Sequence, residues 1–235
     1  MSPFDLRLVP TLPPMAWLYR MRRGSGPELF HGKSVEGLSN GFFEGCFAGR
    51  WSTEDFANCS EVFGSGLKIE NDIHHFIGPS HTLEALFTLS RDDELAVSNS
   101  LCFLLEFYGA SLPVDFHYGP KFASAVFGID AYKKNLANTA EGDISRVLYD
   151  NLTVAPDLKT SYNRKPLGPT VISYSSYVQY LKDTLDSAFA NAFDTGRGVQ
   201  FSPLASCSTG YDSAASAAIA KRLGCPGRHH SQNQS

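Results

Sequence analysis

The chain has 235 residues, 43% of them hydrophobic and 19% charged, with a formal net charge of −4. These values suit one large globular domain or two smaller ones and give no basic surface for nucleic acid. Cys46, Cys59, Cys102, Cys207 and Cys225 are scattered without CxxC spacing. That argues against a zinc site or a dense disulfide framework and points to a reducing, cytoplasmic setting.

In chain order, residues 1–23 read as an irregular entry, because Pro3, Pro10, Pro13 and Pro14 interrupt their apolar residues. The basic group Arg20, Arg22 and Arg23 follows the apolar part, the wrong order for a signal peptide, and no apolar run reaches membrane-spanning length. Residues 38–109 read as short strands and turns, with turns at Gly64-Ser65-Gly66 and Gly78-Pro79 and a strand over 73–77. Residues 85–89 and 95–98 predict a hairpin joined by Arg91-Asp92-Asp93-Glu94. Leu101, Leu104 and Leu105 predict a short helix after it. Further on, Tyr118-Gly119-Pro120 and Gly142-Asp143 mark turns, and residues 144–149 and 152–155 are expected to pair as strands. His74 and His75 on one strand point to opposite faces and cannot share a metal, and His117 has no ligand-spaced partner.

Leu167-Gly168-Pro169 reads as a linker between two domains. Residues 176–193 predict a helix capped by Ser176 and Gln179, with Val178, Leu181, Leu185, Phe189 and Phe193 on one apolar face. A short apolar run, 199–205, then predicts a strand, and an alanine-rich helix over 212–223 stops at Gly224. Residues 225–235, with His229 and His230, read as a disordered polar tail.

Between that strand and helix lie Ser208, Thr209, Gly210, Tyr211, Asp212 and Ser213. Strand, small-residue turn and helix start make the usual geometry of a phosphate-binding loop, whose amides converge on one concavity. Ser208 and Ser213 can add hydroxyl donors, and Gly210 admits close approach of a phosphate. Asp212 would repel a phosphate unless a cation stood between them, which points to Mg²⁺. No Gly-Lys-Ser/Thr pair is present, so the loop is not of the Walker type.

The stretch resembles the Ser-Gly-Gly-x-Asp-Ser loop of the ATP pyrophosphatases, which include asparagine synthetase, β-lactam synthetase and lasso-peptide cyclases. Upstream, His75-Phe76-Ile77-Gly78-Pro79, residues 86–91 and Leu95-Ala96-Val97-Ser98-Asn99-Ser100-Leu101 resemble the glutaminase-like domain of asparagine synthetases. The resemblance implies an α+β, Ntn-type antiparallel sandwich over residues 1–167 and the start of an α/β, HUP-like ATP pyrophosphatase domain over 168–224. It further implies ATP and Mg²⁺ as cofactors, Ser208 to Ser213 at the ATP pyrophosphate and Asp212 at the metal. The reaction it implies is adenylation of a small-molecule or peptide carboxylate, followed by attack of an amine.

The sequence departs from this pattern in two places. The family's glutaminase nucleophile is an N-terminal cysteine, whereas this sequence starts Met1-Ser2-Pro3 and Cys46 is internal, so no glutaminase activity is expected. Thr209 stands where the family usually has glycine, a poor fit if the position needs a positive φ. The βα units of a full synthetase domain are also missing after Gly224. The expectation is therefore an incomplete ligase, inactive by itself, with homo-oligomerisation or a further C-terminal portion as ways to complete it. Neither nucleic acid nor a membrane is expected as a partner. The alternatives are a non-catalytic, shortened homologue that binds a partner and, ranked last, a serine hydrolase using Ser213 without a Gly-x-Ser-x-Gly elbow.

Overall fold

The computed structural model describes residues 3–113, 118–201 and 210–224, apart from the side chains of Tyr118 and Asp212. The described residues fold as a mixed α+β structure with two sheets rich in antiparallel pairs and few helices.

The first sheet uses β1 (Asp5–Leu8), β2 (Trp17–Arg22) and β3 (Glu28–His31), and the second opens with β4 (Glu36–Leu38), β5 (Gly41–Phe47), β6 (Val62–Glu70) and β7 (Ile73–Ile77). The hairpin β8 (Leu86–Ser90) and β9 (Glu94–Ser98) returns to the first sheet and leads into helix α1 (Leu101–Tyr108). A short helix α2 (Tyr118–Phe122) precedes β10 (Asn135–Thr139) and β11 (Gly142–Val147), then β12 (Asn151–Val154) and β13 (Thr160–Asn163). Helices α3 (Tyr174–Ala192) and α4 (Tyr211–Arg222) follow. The strand orders are β1-β3-β2-β9-β8-β11-β10 and β13-β12-β7-β6-β5-β4. Among the described residues all pairs are antiparallel except β1 with β3.

The period-two alternation of strands sorts the side chains into layers. Trp17, Tyr19 and Met21 of β2 face Phe42, Leu67 and Phe76 of the second sheet in a core between the sheets. Leu18, the residue between Trp17 and Tyr19, points the other way and packs with Leu89, Ala96, Ile144 and Leu104 of α1. On the far face of the second sheet, Phe43, Phe47, Val62 and Ile77 pack with Trp51 and Phe56. Helix α3 contacts β5.

Several expectations hold. The 73–77 strand, the hairpin and the helix after it form, the helix capped by Ser100 Oγ on the Phe103 amide and closed by Gly109 at φ +61°. His74 and His75 do diverge: the first lies tilted beside Tyr19, ring centroids 5.6 Å apart, and the second reaches Thr153.

Others are corrected. The entry segment supplies β2, which pairs on both edges, because its prolines stop at Pro14 and leave residues 17–22 free to pair. Gly64-Ser65-Gly66 is no turn but the middle of β6, where small residues let two strands approach. A Cβ on Gly45 (φ +90°), opposite Gly64, would stand 2.2 Å from the Phe63 carbonyl oxygen. Tyr118-Gly119-Pro120 lies in α2. Strands β11 and β12 do not pair but belong to different sheets, and Tyr149 at φ +66° turns the chain between them. The cap of α3 is Ser173, in a box with Ser176, rather than Ser176 with Gln179. His117 and the 225–235 tail lie outside the described residues.

Candidate functional site

The predicted strand over 199–205 is seen only at 199–201, which are not in a strand; its remainder, with Ser208 and Thr209, lies outside the described residues. Gly210 is the N-cap of α4, with extended backbone at φ −79° and ψ 151°. The first intrahelical bond runs from the Ala214 amide to the Gly210 carbonyl at 3.3 Å, and Ser213 Oγ donates to that same carbonyl at 3.0 Å. Tyr211, Asp212 and Ser213 therefore form the first turn, where helix amides precede the hydrogen-bonded ladder. Gly210 without a side chain, at a helix start, fits an anion there. The Asp212 side chain lies outside the described residues, so its metal role stays an expectation. Tyr211 is 95% exposed and Ala220 is the one residue of α4 buried among those described.

The segment leading to this region is pinned to the sandwich by Arg197, which sequence reasoning missed. Its guanidinium is enclosed, ion-paired with Glu36 of β4 and bonded to the Gly45 carbonyl at 2.8 Å and Asn191 Oδ1 at 3.1 Å. It lies 4.0 Å from the Trp51 ring centroid and 4.7 Å from that of Phe201. Glu36 Oε1 also accepts from the Val199 amide at 3.1 Å, and Asn191 Nδ2 donates to the Gly49 carbonyl at 2.9 Å. Without Trp51, Phe201 and Glu36 brought together in space, an arginine in Gly196-Arg197-Gly198 carries no sequence signal.

Cys46, Cys59 and Cys102 are free thiols, and Cys207 and Cys225 lie outside the described residues. Burial pushes the Cys46 thiol up to about 11, the opposite of an activated nucleophile. Among the described residues no group of three or more His, Cys, Asp or Glu side chains gathers as for a metal ion. No helix there is long and apolar enough to cross a membrane.

One end of the inter-sheet core holds the second feature missed in the sequence. Glu44 of β5, 4% exposed, accepts from Ser65 Oγ at 2.6 Å. Ser65 Oγ in turn accepts from Trp17 Nε1 at 2.9 Å. Asn99 receives the Trp17 amide on Oδ1 at 2.9 Å and directs Nδ2 to the Met15 carbonyl at 2.9 Å and to Glu44 Oε1 at 3.4 Å. Desolvation, opposed by the Ser65 hydrogen bond, raises the Glu44 carboxyl to about 7. A cavity of about 430 Å³ opens beside it.

Comparison of the chain with protein-family models and with curated proteins finds no match.

Proposed function

We propose that the chain is an asparagine-synthase-like protein: a glutaminase-like, Ntn-type sandwich without its nucleophile, joined to an ATP pyrophosphatase loop of a HUP-like domain. The observation that carries this reading is the order of parts. Two antiparallel-rich sheets come first, α3 packs on β5, and a glycine-capped helix follows. That order matches the resemblance read from the sequence. In this reading the protein works in the cytoplasm on a small-molecule or peptide carboxylate, with ATP and Mg²⁺. ATP supplies the leaving group that activates the carboxylate for an amine. Ser208, Thr209, Gly210, Tyr211 and Ser213 would hold the pyrophosphate through amides and hydroxyls, and Asp212 would hold Mg²⁺ against it. In this reading the chain makes no ammonia from glutamine; the buried Cys46 thiol, raised to about 11, is a weak nucleophile.

Titration calorimetry with ATP tests the reading. Binding is expected to be tighter with Mg²⁺ than without it, and Asp212→Ala is expected to weaken it more with the metal than without. No heat with millimolar ATP and Mg²⁺ would overturn the proposal.

A second reading, a non-catalytic homologue that binds a partner, is favoured by the exposure of α4. Among the described residues nothing walls a crevice around its first turn, and an activated acyl group there would meet water. ATP–pyrophosphate exchange with candidate carboxylates separates the two readings: exchange supports the ligase, and nucleotide binding without exchange supports the binding protein.

A further inference from the structure

Glu44 has an arrangement that its role in the core does not explain. Its carboxylate accepts from the Ser65 hydroxyl and Asn99 Nδ2, both at Oε1, and from the Ser65 main chain. No described cation forms an ion pair with it. A carboxylate withdrawn from water without a counter-charge costs several kcal/mol by order of magnitude, and hydrophobic residues of similar size would remove that cost. Here the surroundings instead orient it. Trp17 Nε1 points Ser65 at it, the main chain of Met15 and Trp17 fixes Asn99, and Gly45 at φ +90° carries β5 past it.

The adjoining cavity of about 430 Å³ has room for a small organic molecule. Its walls include Met15, Ala85, Phe87 and Leu148, and Leu83, 92% exposed, stands at the rim. The other charged groups lining it are Glu84 and Arg146. Arg146 is engaged elsewhere: Nη2 donates to the Lys121 carbonyl at 3.0 Å, and its guanidinium lies over the rings of Phe122 and Tyr132 at 5.0 and 5.7 Å. Its Nε is sealed from solvent without a partner among the described residues. The lining thus carries two carboxylates against one guanidinium that is bonded elsewhere, among apolar and neutral polar side chains.

We propose that this cavity binds a primary organic ammonium ion, its charged head on the Glu44 carboxylate and its apolar body against Met15 and Phe87. The site is independent of nucleotide binding and does not rest on the ligase reading.

The indole N–H of Trp17 reports on the site, because it donates to the Ser65 hydroxyl that donates to Glu44. The chain has two tryptophans, and the other, Trp51, stacks on Arg197. ¹⁵N-labelled protein is titrated with phenethylammonium and butylammonium chloride at pH 8, with butyrate and butanol as controls. The amines are expected to saturate a shift of the Trp17 indole signal and leave that of Trp51 in place. Affinity should fall roughly tenfold per unit as pH drops below the Glu44 value, since the neutral acid no longer pairs with the cation. Glu44→Gln, which keeps the shape and the Ser65 hydrogen bond, should abolish the amine response. No saturable amine response, a response unchanged in Glu44→Gln, or preferential binding of butyrate would each overturn the proposal.

Discussion

Glu44 also makes a prediction about the folded state that needs no ligand. Its carboxyl is raised from 4.5 to about 7 by burial, so the folded chain holds this proton more tightly than the unfolded chain. The sign follows from linkage: the folded state loses stability as pH rises from about 4.5 through about 7, where the unfolded chain has already released the proton. Glu44→Gln should therefore raise the melting temperature at pH 8, by an amount corresponding to about 3 kcal/mol, and change it little at pH 4.5. Thermal melts of both forms across this range check it. A melting temperature of the variant that tracks the wild type at every pH would show that Glu44 carries no such cost.

Among the elements, the connection from α3 to the region before Gly210 is held mainly through one side chain. Arg197 gathers Glu36 of β4, the Gly45 carbonyl of β5, Asn191 at the end of α3 and the rings of Trp51 and Phe201. Arg197→Ala leaves the Glu36 carboxylate buried without its cation and opens a cavity between two aromatic rings. Loss of one partner of a buried pair costs about 3–5 kcal/mol, so the denaturant midpoint should fall sharply. Adding Glu36→Gln to Arg197→Ala should recover part of the loss, because the stranded charge is then gone. If Arg197→Ala costs under about 1 kcal/mol, the pair is no anchor.

For the whole molecule, stability should be uneven. The two sheets share a continuous aromatic and aliphatic core, in which Trp17, Tyr19, Phe42, Leu67 and Phe76 are fully buried. Helix α4, twelve residues long, buries Ala220 and little else among its described side chains. A helix of that length without tertiary cover is marginal in water. Hydrogen exchange should find the amides of residues 214–223 exchanging far faster than those of β8 and β9, which are paired on both edges within the first sheet. Protection of α4 equal to that of the hairpin in a monomer would contradict this picture.

What the sequence by itself determined is local. The strand over 73–77, the 85–98 hairpin, the short helix after it, the opposed faces of His74 and His75, and the glycine before α4 were readable because each depends on neighbours a few residues away. The tertiary structure decided the rest. Residues 17–22 become an inner strand because β3 and β9 pair with it, and Gly64-Ser65-Gly66 stays extended because Gly45 and Phe43 lie opposite. Strands β11 and β12 part because Tyr149 turns the chain from one sheet to the other, a choice set by which sheet edge is open. Glu44 and Ser65 are 21 positions apart in the chain and Arg197 and Glu36 are 161 apart. Their burial and partnerships arise only when strands distant in sequence come into register, so no spacing or local propensity announces them.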